Sequence, residues 1–282
     1  MTAQPWEWQW DETLFAGAAP YYSVGRMPYP PELVTAVRDE LGLDGTGRLL
    51  DVGCGPGSLT LLLAPLFEAV VGVDPDRGMI AEARRRAAAA GIENIEWRIA
   101  RAEELSAGPG LGGFRAVSFA QSFHWMDQEL VAECMKAVLT ADGAWIHVGA
   151  TTNRGVDGDD PLPHPRPPWG RIEELTTRYL GPVRRAGQST LPNGNRSGEE
   201  DVMRQAGYRG PTKIEVGGGV VAERSADDIV ASVFSLSSSA PHLLGDRLQS
   251  FEADLRTLLS EASPSGRFSE RRRETGVVIW RP

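Results

Sequence analysis

The sequence predicts an α/β fold: a parallel sheet with helices on both faces. Three observations carry that prediction. Between about residue 46 and residue 150, short apolar runs alternate with amphipathic helical stretches, the rhythm of a doubly wound sheet. The first of these runs ends in a glycine cluster with a helix directly behind it. The chain has 282 residues, 41% hydrophobic and 24% charged, which suits one large domain with insertions.

The elements are justified in order. Residues 1–30 read as irregular and rich in Trp, Tyr and Pro. From Pro31 the stretch PELVTAVRDEL puts Leu33, Val34, Val37 and Leu41 on one helical face, and Gly42 and Gly45 stop it. Residues 48–52 form a short strand and 58–67 the helix after it. Residues 69–73 are apolar and β-branched, as in a strand buried on both faces. Residues 76–90 form a helix with Asp76 as N-cap and Gly91 as stop. Strands follow at 95–99, 116–120 and 144–148, with a helix at 128–139.

At about Thr151 the rhythm breaks. Residues 153–170 are dense in Pro, Gly and Asp and end in PLPHPRPPWG, a loop that is either disordered or a functional lid. Helices are expected at 171–180, 226–237 and 243–260, loop at 186–200, one strand with a weak Gly-rich centre at 213–222, and a last strand at 275–280.

Charge and cysteine usage exclude several classes. The formal charge of −9 argues against a broad nucleic-acid footprint, which needs clustered basic charge. Arg84-Arg85-Arg86 and Arg271-Arg272-Arg273 read better as solvated surface. Cys54 and Cys134 give neither a disulfide framework nor a CxxC pair, and His124, His147, His164 and His242 have no metal-ligand spacing. No metal is expected. The N-terminus has no basic or apolar leader region, and no apolar run reaches the roughly 18 residues of a membrane span. The expected location is the cytoplasm, with no membrane partner.

The chemistry concentrates in LLDVGCGPGSLTLLL, residues 49–63. A buried strand ends in Asp51, and Gly53, Gly55 and Gly57 precede a helix. Glycine permits a sharp turn and close approach of a ligand to the main chain, and the helix start offers free N–H groups. A dinucleotide fingerprint would read GxGxxG over a pyrophosphate. Here the spacing is GxGxG behind an acidic residue, which would repel a pyrophosphate but suit the ammonium end of an amino-acid cofactor. Asp74 ends the next apolar run, VVGVD, where a carboxylate meets two ribose hydroxyls. The helix-capping alternative for Asp74 is filled by Asp76. Met79 has two readings, core filler and contact with an adenine ring.

Together LLDVGCGPG, VVGVDPDRGMIAEA, IEWRIARAEEL and FRAVSFAQSFHWMD resemble, in order and spacing, the class I methyltransferases dependent on S-adenosylmethionine (SAM). The closer resemblance is to the small-molecule type 11 methyltransferase family. It is specific over 46–150, visible at YYSVGRMPYPPEL near the N-terminus, and vague over 151–270. It implies a Rossmann-like, seven-stranded, mostly parallel sheet whose last strand is antiparallel. It divides the chain into a cofactor-covering arm and helix (1–45), a SAM-binding core (46–150), a substrate-cap insertion (151–212) and a segment completing the core (213–282).

The resemblance also implies roles. Gly53, Gly55 and Gly57 line the methionine part of SAM, with Asp51 near its amino group. Asp74 binds the ribose. Ala102 and Glu103 flank the adenine, although Arg101 stands where many relatives have the Asp that holds the adenine amino group. Gln121 borders the cofactor, and Tyr22 and Arg26 close over its carboxylate, for which a guanidinium fork is matched. His124 is either the base that takes the acceptor's proton or a residue that shapes the pocket with Trp125. The product would be S-adenosylhomocysteine and the partner a small-molecule acceptor of O, N or C type. The chain's richness in Arg, Gly, Ala and Pro is similar to that of high-GC bacteria, where such enzymes decorate secondary metabolites.

Rival readings are a nicotinamide oxidoreductase, an RNA or protein methyltransferase, and a SAM-fold protein repurposed as a cyclase-like enzyme or binding subunit. Trp6, Trp8 and Trp10 read better as packing of an N-terminal arm than as a lid. Asp157, Asp159 and Asp160 read better as solvated loop than as an attractor for a cationic amine.

Overall fold

The computed structural model describes residues 13–105, 111–186, 189–191 and 198–282. Trp6, Trp8 and Trp10 lie outside these residues. Among the described residues the strands are β1 (Arg48–Val52), β2 (Ala69–Asp74), β3 (Ile95–Ile99), β4 (Phe114–Ala120), β5 (Leu139–Gly149), β6 (Arg184–Ala186), β7 (Ser189–Leu191), β8 (Arg209–Val216), β9 (Val221–Ser225), β10 (Arg267–Arg271) and β11 (Thr275–Arg281). The helices are α1 (Ala19–Gly25), α2 (Glu32–Leu41), α3 (Ser58–Leu63), α4 (Arg77–Ala90), α5 (Gln128–Val138), α6 (Trp169–Leu180), α7 (Glu199–Gln205), α8 (Ala226–Phe234) and α9 (Leu248–Ala262).

The main sheet has seven strands in the order β3-β2-β1-β4-β5-β11-β8. β1 to β5 are parallel, and β11 runs antiparallel between β5 and β8. This is the Rossmann-like sheet that the resemblance implies. The strand pleat sorts its side chains into two layers. Leu49, Val70, Ala116, Ile146 and Ile279 face one core, with α2 and α3 against them. Their neighbours Leu50, Val71, Val117, Trp145 and Trp280 face the other, which α5 and α7 cover. The central strands are buried on both faces, so β1, β2 and β4 read as largely apolar runs, while the edge strands β3 and β8 are partly exposed.

A third core lies outside the sheet. Ile172 and Leu175 of α6 pack with Ile229, Val233 and Phe234 of α8, Phe251, Leu255 and Leu259 of α9, and Phe268 of β10. It draws on both sides of residues 212 and 213, while those two residues themselves sit inside β8 of the main sheet. A buried ion pair ties this layer to the rest. Arg224 Nη1 lies 3.0 Å from Glu270 Oε2, with both side chains about 95% buried. Glu270 Oε1 also accepts from Gly155 N–H and from Trp169 Nε1, and Arg224 donates to the carbonyls of Gly25, Asn153 and Asp228.

Four expectations change, and one is that the loop expected at 186–200 contains β7 and the start of α7. The single strand expected at 213–222 is two strands in different sheets. Gly217, Gly218 and Gly219 take φ of 66°, 90° and 69° and turn the chain out of the main sheet. β8 therefore pairs with β11, while β9 pairs with β10 in a separate ribbon. Part of the region expected to be irregular, 1–30, is helical: α1 lies so close to α8 that a Cβ on Gly25 would fall 2.3 Å from the Ala231 carbonyl carbon. The helix expected from 243 begins at Leu248, after 3-10 turns at Pro241–Leu243 and Gly245–Arg247.

Candidate active site

Strand order reverses between β1 and β4, and open α/β sheets bind ligands at the carboxyl edge of such a reversal. A cavity lies there. Gly53 and Gly55 after β1, Asp74 at the end of β2, Met79 of α4, Ala102 and Glu103 after β3, and Gln121 after β4 all line it. Phe15 and Tyr22 from the N-terminal segment close its other side, and Phe15 meets Trp125 edge-on with ring centroids 5.6 Å apart.

The local chemistry explains this arrangement. Gly53 and Gly55 have φ of 66° and 53°, the left-handed region that strains side-chain-bearing residues. An added Cβ on Gly53 would lie 2.5 Å from Ser122 Cβ, whereas one on Gly55 would meet nothing within 4 Å. Asp76 caps α4 through Met79 N–H, which leaves Asp74 for the cavity. Asp74 Oδ2 accepts from Gly55 N–H and Oδ1 from Asp76 N–H, each at 2.9 Å. Each oxygen keeps a lone pair for a further donor. Burial pushes this carboxyl up to about 7, against the pull of the two backbone donors. Gln121 holds a φ of 58° without being glycine, a strained conformation of the kind found at ligand sites.

Other expected site residues stand elsewhere. Asp51 does not line the cavity. It is 1% exposed and accepts from Thr60 Oγ1 at 2.5 Å and Ser118 Oγ at 2.7 Å, joining β1 to α3 and β4. Burial raises its carboxyl to about 6 against those two donors. Gly57 is also absent from the lining; a Cβ there would meet Trp97 at 2.8 Å, so its role is close packing. Glu103 Oε1 accepts from Asp127 N–H at 3.0 Å, and Oε2 lies 3.5 Å from Arg101 Nε.

A second cavity of about 690 Å³ adjoins the first and shares Phe15, Tyr22, Gln121 and Trp125 with it. His124 and Arg26 line this one. His124 sits on the 3-10 turn Phe123–Trp125 behind β4. Burial, with a smaller contribution from His147, holds its imidazole down at about 4, so it is neutral at neutral pH. Arg26 lies over the Tyr22 ring, 4.7 Å from its centroid, and donates to Ser235 Oγ, the Ser235 carbonyl and Thr152 Oγ1. Sequence reasoning missed Phe15, Trp169, Arg154 and Arg184 as lining residues. Trp169 and Arg154 stood in the stretch 153–170 already singled out, though neither was named as a lining residue.

Residues 49–143 match the family model described as a methyltransferase domain. That domain contains both glycine turns, Asp74 and His124. Over 139 residues the chain is 28% identical to a probable S-adenosylmethionine-dependent methyltransferase of Saccharomyces cerevisiae, covering 45% of each chain. Over 84 residues it is 37% identical to tRNA (uracil-5-)-methyltransferase homolog A of Mus musculus, 30% of this chain and 13% of that one. The chain thus spans less than half the length of these relatives. Among solved structures, the [4+2]-cyclase SpnF superposes with a TM-score of 0.51 at 16% identity, over 96% of this chain and 94% of that one. The fold around the methyltransferase domain is the Rossmann-like class I methyltransferase fold. Among the described residues no group of three or more His, Cys, Asp or Glu side chains is placed to hold a metal ion, and no helix is long and apolar enough to cross a membrane.

Proposed function

We propose that this protein is a SAM-dependent methyltransferase of the small-molecule type 11 family. On this reading the first cavity takes SAM and the second takes the methyl acceptor. The observation that carries it is Asp74, a half-buried carboxylate with backbone donors on one side and open acceptor capacity toward a cavity that two positive-φ glycines line. That donor and acceptor set suits a ribose diol and leaves no donors facing outward for a pyrophosphate on the same carboxylate. The segments 151–186 and 221–271 form the cap over the acceptor.

When bound, the cofactor supplies a methyl group on a positively charged sulfur. Gly53 and Gly55 let the main chain approach it, Met79 and Ala102 flank its adenine, and Gln121 stands where the two cavities meet. Holding the acceptor in line with the methyl group supplies most of the rate. His124 is neutral and faces the acceptor cavity, so its ring nitrogen is open to a hydroxyl acceptor's proton as the methyl group is transferred, while at about 4 it is too weak a base to strip an ammonium. Phe15 and Trp125, packed edge-on, give the junction an apolar lining. The net charge of −9 and the enclosing cap favour a small acceptor over RNA.

The test is calorimetric binding of SAM, S-adenosylhomocysteine, NADH and NADPH to the purified protein. Micromolar binding of the two adenosyl compounds alone supports the reading. Binding of a nicotinamide, or of none of the four, overturns it.

A further inference from the structure

The acceptor cavity carries a charge that the rest of the molecule does not. The chain as a whole has 29 Lys and Arg against 38 Asp and Glu. The charged residues lining this cavity are Arg26, Arg154, Arg184 and Glu173, so cations dominate its wall. The three arginines are committed to the protein to different degrees. Arg26 is committed to Ser235 and Thr152. Arg154 is exposed to the cavity and has no ion-pair or hydrogen-bond partner among the described residues. Arg184 has a side chain only 5% exposed. It pairs with Glu173 through Nη2, yet its buried Nε has no hydrogen-bond partner. A buried N–H left without an acceptor is costly, and a guanidinium edge with an open donor is the usual receptor for a carboxylate.

We infer that the methyl acceptor is a monoanion, a carboxylate on an apolar body, whose carboxylate is taken up by Arg184 and Arg154. This rests on the second cavity being the acceptor site. Arg26 keeps its charge while its Nε, Nη1 and Nη2 are taken by Ser235 and Thr152, so the lining holds three cations against Glu173, and the open guanidinium edges that remain for one carboxylate are those of Arg154 and Arg184. The body is largely apolar because Trp169, Ile172, Val233 and Leu236 give the cavity an apolar side, next to the polar Asn153, Thr176 and Ser237 to Ser239. His124, neutral in its buried position, neither adds to nor competes with this charge.

The probes are biphenyl-4-carboxylate, biphenyl-4-carboxamide and biphenyl-4-yl phosphate, each titrated calorimetrically into the whole protein at pH 7.5, with Arg154→Gln and Arg184→Gln alongside. The carboxylate should bind about tenfold or more tightly than the carboxamide, as expected for a charge-assisted bond, and no more weakly than the phosphate. Each substitution should remove about tenfold of the carboxylate's affinity and leave the carboxamide's unchanged. Arg154 is exposed, so Arg154→Gln remains informative if Arg184→Gln does not fold. Equal binding of carboxylate and carboxamide, tighter binding of the phosphate, no binding of the carboxylate, or a folded Arg154→Gln variant with unchanged carboxylate affinity would each overturn the inference. Neither arginine lines the first cavity, so S-adenosylhomocysteine should bind both variants as it binds wild type. If wild type binds no S-adenosylhomocysteine, the cofactor reading fails, while the carboxylate titration, which needs no cofactor, still stands as a test of this one.

Discussion

Adenosine binding should depend on pH through Asp74. In the free protein burial pushes this carboxyl up to about 7, partly offset by the N–H groups of Asp76 and Gly55. Two ribose hydroxyls donating to it would favour its charged form and return it toward the ordinary value near 3.8. Binding below pH 7 must then release a proton. Affinity is constant above about pH 7 and falls nearly tenfold for each pH unit below it. Between pH 7.5 and pH 5 the fall is about 70-fold, or about 2.5 kcal/mol. Adenosine suits the assay because it lacks the amino-acid end of SAM and has no group of its own titrating between pH 5 and pH 8. Calorimetric titrations across that range, in buffers of different ionisation enthalpy, measure both the affinity and the protons released. Asp74→Asn should bind more weakly at pH 7.5 and show no slope. A flat wild-type profile, or a slope that survives in Asp74→Asn, would refute the ribose assignment.

Without ligand the same group should act on stability with the opposite trend. Its folded value lies above its unfolded value, so its contribution is fully present below about pH 4 and is lost as pH rises through about 7. Urea unfolding should therefore show Asp74→Asn gaining on wild type between those limits, by up to about 4 kcal/mol; no gain would mean that the carboxyl is not buried as described. His124→Ala should lower turnover about 10²–10⁴-fold at saturating SAM if the imidazole is the base, with SAM affinity little changed. Because burial holds that imidazole at about 4, wild-type turnover at saturation should not decline through its protonation until pH nears 4. A loss in His124→Ala under about threefold would leave it a pocket-shaping residue. Glu270→Gln removes the counter-charge of a buried Arg224 and should cost about 3–5 kcal/mol, read as a lower urea midpoint. An unchanged midpoint would mean the pair does not anchor the cap.

Much of the core was legible because its signals are local. Strands β1 and β3 fall where the apolar runs put them, and the Asp76 cap and Gly91 stop of α4 are formed as expected. Each depends on residues within a turn or two of one another. The third core was less legible. Its helices were foreseen individually, but their packing with β10 joins segments about 100 residues apart, and no short-range pattern encodes that pairing. The strand at 213–222 failed for a related reason. Its composition was strand-like on both sides of the glycines, and only the positive φ of Gly217 to Gly219 sends the two halves to different sheets.

The sequence by itself determined the glycine turn, the acidic residue at the tip of the second strand and the edge of the sheet at which they meet. These follow from backbone sterics and strand polarity, which a short stretch of chain specifies. Only the tertiary structure decided which of those residues face the cavity. It turned Asp51 inward to Thr60 and Ser118, closed Gly57 against Trp97, and moved Arg26 to the second cavity. It also brought Arg154 and Arg184 to one cavity, from positions that carry no common motif. Facing is set by what packs on the far side of each residue, and those neighbours come from distant parts of the chain.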